Sequence, residues 1–444
     1  MKATKLFVLF LAVVMLLAAC APAATPEPTE PPAPTEKPAP TEAPAPTEAP
    51  KEPVELRFTY YADGVEADVM KPILDKFMAE YPYITVVLDV VPYKTIDEQL
   101  PVQVESGEGP DLARITNFGA YKGKLLDLRP LLADAAAYEA NFPAPILAAL
   151  GYGGYPDALT VTGPYVNKTL FDQAGIELPG EGTTWEEWTE LTKQVAEATS
   201  VQYAIAVDRT GQRIAGPAMS KGATLINAEG NFTVDTPGFR SFVELVKSWH
   251  DEKITPAEVW LGAEPVNSCI AAFKSGQLVM CMSGSWQING LAKDVGDAFD
   301  WVVVPNPTGE GGSTGIAGGS AVAAFADTEH PEEVAMLVEF LTQPENYSAF
   351  SAGASSLPAN KTVAEQGVEF NTDNPFVLAA LSGYTAEVPK LTEQAVSLNV
   401  HPYAFAYYRN SANRIAQYLS GELSLDEMLV NLQQDIDNAI AEAK

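Results

Sequence analysis

Three cysteines and three histidines are all that 444 residues contain, and 27 Lys and Arg stand against 58 Asp and Glu. Each shortage removes a class of function. Three cysteines are too few to build a disulfide scaffold. The scarcity of basic side chains leaves a formal net charge of −31. That charge repels phosphate backbones and anionic headgroups, so no nucleic-acid partner is expected. No Gly-x-x-x-x-Gly-Lys-Ser/Thr string occurs, and His-Glu-x-x-His is absent as well. Long apolar runs are also missing. The longest covers residues 6–19, short of the roughly 20 residues that a membrane-spanning helix needs.

What is present falls into three zones. Residues 1–20 have the form of a signal peptide: Lys2 and Lys5, the apolar stretch, then Leu17-Ala18-Ala19-Cys20. Small residues before a cysteine resemble a bacterial lipobox, which implies that Cys20 is lipidated and becomes the first residue of the mature chain. The other reading is an ordinary secretory signal with a chance cysteine. Acyl chains contribute about 0.8 kcal/mol per buried CH2, so the membrane is expected as a partner through N-terminal lipid. Residues 21–53 hold 12 of the 35 prolines and no aromatic residue, and Ala-Pro-Thr-Glu recurs at 33–36, 39–42 and 45–48. Such a segment cannot bury a core and reads as a disordered or extended tether, reaching roughly 100 Å at about 3.1 Å per residue. The signal carries +2 and the tether −4, which leaves −29 on residues 54–444.

That third zone alternates between two periods. Residues 54–61 read as a strand, ending at Ala62-Asp63-Gly64. Val69, Ile73 and Phe77 then recur at helical spacing until Tyr81-Pro82 stops the helix. Residues 84–90 are a second strand, so a parallel βαβ unit is predicted. A helix is expected over 95–105. Thr184-Trp185-Glu186-Glu187 fits a capping box opening a helix. Strands are expected at 201–207, 278–282 and 301–305, and helices at 239–249, 331–341, 403–419 and 425–443. The class is α/β.

In this order, the segments resemble the family 1 extracellular solute-binding proteins of ABC importers, of the maltodextrin-binding type. The resemblance rests on Tyr165-Val166-Asn167-Lys168-Thr169-Leu170-Phe171-Asp172-Gln173-Ala174-Gly175-Ile176, Gly109-Pro110-Asp111, Phe273-Lys274-Ser275-Gly276, Gly284-Ser285-Trp286 and Pro305-Asn306-Pro307. It implies a bilobed periplasmic-binding-protein fold, type II-like, with two α/β lobes joined by a hinge. The first lobe would take residues 54–158 and 306–360, the second 159–305, with 361–444 forming helices mostly on the second. Crossings are expected near 155–163 and 305–308. The resemblance further implies a carbohydrate or other small polar ligand in the interlobe cleft, ABC permease subunits as partners, no cofactor, no metal and no enzymatic activity.

A saccharide site needs aromatic platforms and side chains that hydrogen-bond hydroxyls. Trp286 follows a strand in a Gly-Ser context, where the family places a stacking Trp. Asp63 ends the first strand, and ligands of parallel sheets bind beyond strand carboxyl ends; its other reading is a helix N-cap. Tyr61 shares its side of the strand, with a core tyrosine as the other reading. Asn117 is the polar candidate after the third strand, where the family often carries Trp and Asp; an ordinary turn Asn is the alternative. Asp111 is expected to hold a loop. Arg209 and Arg213 are one turn apart and suit an acidic or highly hydroxylated ligand, or a surface ion pair. Tyr408 is the candidate from the late helix, and Gly318 and Gly319 allow close backbone approach at the crossing. Cys269 and Cys281 could be bridged or reduced. Other ligands for the same fold are a polyamine or a metal, and a secreted hydrolase is the remote alternative.

Overall fold

The computed structural model describes residues 51–263, 268–313 and 315–443. The signal, Cys20 and nearly all of the tether lie outside the described residues. β1 (Val54–Tyr60) buries Leu56, Phe58 and Tyr60 and exposes Glu55 and Arg57 between them. The Glu66–Glu80 helix follows, with Met70, Ile73, Leu74 and Phe77 inward and Tyr81 closing it before Pro82. β2 (Ile84–Val90) then pairs parallel with β1, Val54 opposite Ile84 through Tyr60 opposite Val90. The helix expected over 95–105 is two short pieces, Tyr93–Glu98 and Leu100–Glu105. Pro101 supplies no N–H to carry one helix into the next. β3 (Leu112–Ile115) joins the other side of β1, again parallel.

Seven further strands follow: β4 (Gly154–Asn167), β5 (Tyr203–Val207), β6 (Leu278–Gly284), β7 (Trp301–Val303), the hairpin β8 (Thr308–Gly309) and β9 (Gly312–Ser313), and β10 (Ala317–Ala324). The main sheet runs β2-β1-β3-β10-β4-β6-β5, with β7 also on β4. β4 is the key to the architecture. Up to Val161 it pairs with β10, and from Thr162 it pairs with β6. The two halves serve different cores. One gathers Phe58, Phe77, Leu112, Tyr155, Leu337 and Tyr347. The other gathers Tyr165, Trp188, Phe242, Met280, Trp301 and Tyr407. At about 1.5–3 kcal/mol for each fully buried large apolar side chain, each lobe has its own source of cohesion.

The return crossing runs along β10. The Gly311 amide donates to the Ser220 carbonyl at 2.7 Å and the Thr308 amide to the Thr183 carbonyl at 2.9 Å. Residues 308–313 therefore pack on the second lobe, and pairing with β3 begins only at Ala321. Pro375–Glu387, Ala404–Leu419 and Leu425–Glu442 pack on the second core, and Val363 of Lys361–Gln366 on the first. Thr184 forms the capping box its sequence predicts: the Glu187 amide donates to Thr184 Oγ1 at 3.2 Å, and the Thr184 amide to the Glu187 carboxylate at 2.8 Å. Cys269 and Cys281 are disulfide-bonded, tying β6 to the turn before the Ile270–Lys274 helix. No helix among the described residues is long and apolar enough to cross a membrane.

Candidate functional site

β1, β2 and β3 run parallel, so the loops after Tyr60, Val90 and Ile115 open on one edge of the first lobe. β5 and β6 are parallel in the second lobe and send Arg209, Arg213 and Trp286 beyond their ends.

On the first wall, Tyr61 is buried edge-on beneath Tyr93, ring centres 5.1 Å apart. The Tyr93 hydroxyl shares a hydrogen bond with Thr116 Oγ1 at 2.9 Å. Arg114 lies 4.5 Å from the Tyr61 ring centre. Its Nε donates to Asp157 at 2.9 Å and to Ser320 Oγ at 3.1 Å, and its Nη1 to the Tyr61 carbonyl at 3.0 Å. Burial by itself would lower the Arg114 pKa, but Tyr60, Asp157, Tyr61 and Glu66 around it leave it well above arginine's ordinary value. Asp63 has exposed surface, yet burial of its carboxyl raises its pKa, with Arg114 opposing and Glu66 and Asp157 adding to the rise. It does not cap the following helix. Val65 is the N-cap and uses no side chain, and the Gly64 amide donates to Glu66 at 2.7 Å. Asn117 caps the Phe118–Tyr121 turn, its Oδ1 accepting from the Ala120 amide at 3.3 Å; that is the ordinary turn role. Asp111 holds its loop by accepting from the Arg57 amide at 2.7 Å and from Thr328 Oγ1 at 2.5 Å.

On the second wall, Thr210 caps the Gly211–Ser220 helix, placing Arg213 in its first turn. The Arg213 guanidinium lies 4.2 Å from the Trp286 ring centre, a cation–π distance. Nη1 donates to Gln212 Oε1 at 2.7 Å and to Thr162 Oγ1 at 3.3 Å, while Nε is buried without a partner. Burial lowers the Arg213 pKa, with Asp208 opposing. Asp208 is itself held by the Cys269 amide at 2.8 Å, Ser268 Oγ at 2.7 Å and Ser283 Oγ at 2.6 Å. Asp208, Cys269 and Cys281 lie close enough to hold a metal ion, but the disulfide uses the thiols that ligation needs.

Trp286 is half-buried, whereas Trp185, Trp188, Trp249, Trp260 and Trp301 are each 2% exposed or less. Trp286 alone of the six keeps exposed surface that a solute could reach. Tyr408 approaches because Gly211 has no side chain: a Cβ there would sit 2.8 Å from the Tyr408 Cα. The Tyr408 hydroxyl is buried without a partner and feels the charge of Arg213. Gly318 and Gly319 lie in β10 at the crossing. Gly319 has φ +142°, and a Cβ on Gly318 would meet Thr160 Oγ1 at 2.6 Å and Gln212 Nε2 at 3.3 Å. Arg209 points elsewhere. Its Nη1 donates to the Gly262 carbonyl at 3.0 Å, and it lines a separate groove of about 520 Å³ with Trp260, Asn413 and Gln417.

The walls touch across the cleft. Arg409 Nη2 pairs with Asp97 at 2.6 Å, and Asn289 Nδ2 donates to the Ala354 carbonyl at 2.9 Å. The structure thus brings Arg213 against Trp286, Tyr408 against the first turn of the same helix and Gly318 beside Gln212, while Tyr61 and Asp63 stand at the end of β1 and Arg209 lies apart. Tyr93, Arg114 and Gln212 were missed from sequence. Tyr93 follows the end of β2, so the strand-end rule that flags Asp63 would have found it. Gly311-Gly312-Ser313-Thr314-Gly315 spells a hydrolase-like Gly-x-Ser-x-Gly string, also missed. Ser313 lies in the β8–β9 hairpin and donates to the Asn306 carbonyl at 2.8 Å, not at a strand-to-helix elbow.

Residues 73–376 match the family described as bacterial extracellular solute-binding protein. The chain belongs to that family. An uncharacterised lipoprotein of Streptomyces antibioticus is 25% identical, over 69% of this chain and 70% of its own. The arabinooligosaccharide-binding protein of Halalkalibacterium halodurans is 24% identical, over 63% of this chain and 65% of its own. In three dimensions, the ABC substrate-binding protein of Listeria monocytogenes solved with cycloalternan superposes with a TM-score of 0.73 at 16% identity, over 88% of this chain and 100% of that one. The fold of this solute-binding protein is thus bilobed α/β of the periplasmic-binding type.

Proposed function

We propose that this solute-binding protein is the lipid-anchored receptor of an ABC importer, that it takes a saccharide in the interlobe cleft, and that it delivers the saccharide to permease subunits. Trp286 carries the reading. It is the one tryptophan of six left half-open, it sits at a strand end, and its ring meets the Arg213 guanidinium, which is bonded to the Thr162 hydroxyl and the Gln212 amide. An apolar ring face with polar groups around it is the complement of a pyranose. Relatives that bind oligosaccharides, and a relative that is a lipoprotein, support the ligand class and the Cys20 anchor. Ligand binding shifts the lobes toward the form whose walls touch only by its differential affinity for that form. The body acts as a binder, and no cofactor is called for. A thermal-shift screen of mono- and oligosaccharides tests the reading. At 100 times Kd a ligand that binds only the native state adds about 2.7 kcal/mol, so at least one saccharide should raise Tm. A shift with a polyamine or metal and with no carbohydrate would sink it.

A further inference from the structure

Arg213 is 7% exposed, yet no ion pair to it occurs among the described residues. Its bonded partners are two neutral oxygens, both on Nη1. Asp208, the carboxylate whose charge it feels, already accepts three hydrogen bonds of its own. The Nε side of the guanidinium is left over, buried and unpartnered, and the Tyr408 hydroxyl, which feels its charge, is buried and lacks a partner too. A guanidinium edge formed by Nε and one terminal nitrogen fits a planar carboxylate through two parallel hydrogen bonds. A neutral hydroxyl would fill only one of those positions.

We propose that the solute carries a carboxylate, as a hexuronate unit of a saccharide does, and that the Nε edge of Arg213 receives it while Tyr408 donates its hydroxyl. The inference rests on the saccharide reading and narrows it. Trp286, already against the guanidinium, would take the apolar face of the same sugar ring. Asp63 and Glu66 stand on the opposite wall, so the hydroxyl end of the sugar faces them and the acidic end faces Arg213. The −29 of the folded body does not forbid an anion. Exposed charges are screened beyond about 8–10 Å, whereas a buried fork acts at contact. Desolvation of Arg213 works in the same direction, since an anion restores what burial takes away.

Isothermal titration of the full-length protein with D-glucuronate, D-galacturonate and their oligomers, each against the neutral sugar of equal length, tests it. At least one uronate should bind roughly tenfold or more tighter than its neutral counterpart. Arg213→Gln should remove that preference, and Arg213→Lys, which keeps charge without the fork, should restore part of it. The wild-type ratio needs no variant to fold. Neutral sugars binding as tightly as uronates would overturn the carboxylate assignment and leave the saccharide reading standing. Binding of neither kind, with a Tm shift from a polyamine or metal, would overturn both.

Discussion

The two cleft walls each bury an arginine, and the two are handled in opposite ways. Arg114 in β3 has a carboxylate, a hydroxyl and a carbonyl for its fork. Arg213 in the facing lobe has two neutral oxygens on one nitrogen and a tryptophan beside it. The surroundings raise the pKa of the first and burial lowers that of the second. A buried cation satisfied from within the chain is architecture. One left partly unsatisfied against a half-open tryptophan is available to something outside the chain.

The largest expected effect separates these roles. Arg114→Met leaves Asp157 buried and uncompensated and should cost about 3–5 kcal/mol in urea unfolding. Arg213→Met removes a charge that has no ion pair, and Asp208 keeps its three hydrogen bonds, so the loss of stability should be clearly smaller, while the preference for a uronate is lost. Equal losses of stability in the two variants would erase the contrast.

A smaller effect extends the comparison to a partly buried histidine whose Nε2 lacks a partner. Burial pushes the His250 pKa down to about 4, with Lys247 adding and Asp251 opposing, and its Nε2 is unpartnered. In the unfolded chain this group protonates near pH 6.5. The stability it contributes is therefore fully present above that pH and is lost as pH falls toward 4. Allowing for partial solvent access, the loss should be on the order of 1–2 kcal/mol. His250→Gln should flatten that part of the stability profile; an unchanged slope between pH 6.5 and 4.5 would show that His250 is not its source.

The sequence already carried much of the fold because its periodicities are local. The β1-helix-β2 unit and the Thr184 cap are written in neighbouring residues. β4 was not legible. It is buried along most of its length and contains Gly163 and Pro164, so it shows neither the alternation nor the composition of a half-exposed strand. Position was legible where a strand decides it: Asp63 and Trp286 follow the ends of β1 and β6, as their sequence context predicts. It was not where capping decides it. Arg209 and Arg213 are four residues apart, which on one helix would put them on one face. Thr210 starts that helix between them, so Arg209 belongs to the loop and turns toward Gly262. Partner choice was equally hidden: nothing in the spacing of Arg114 and Asp157, 43 residues apart, marks them as a pair.

Tryptophan fluorescence tests the central claim most directly, because Trp286 alone of the six is open enough to meet a solute. Titration of a saccharide that raises Tm should change the emission of wild type. In Trp286→Phe the change should vanish, and in Trp286→Ala affinity should fall by about 1–3 kcal/mol. Tight saccharide binding by both variants, with the spectral change intact, would place the ligand somewhere other than this cleft.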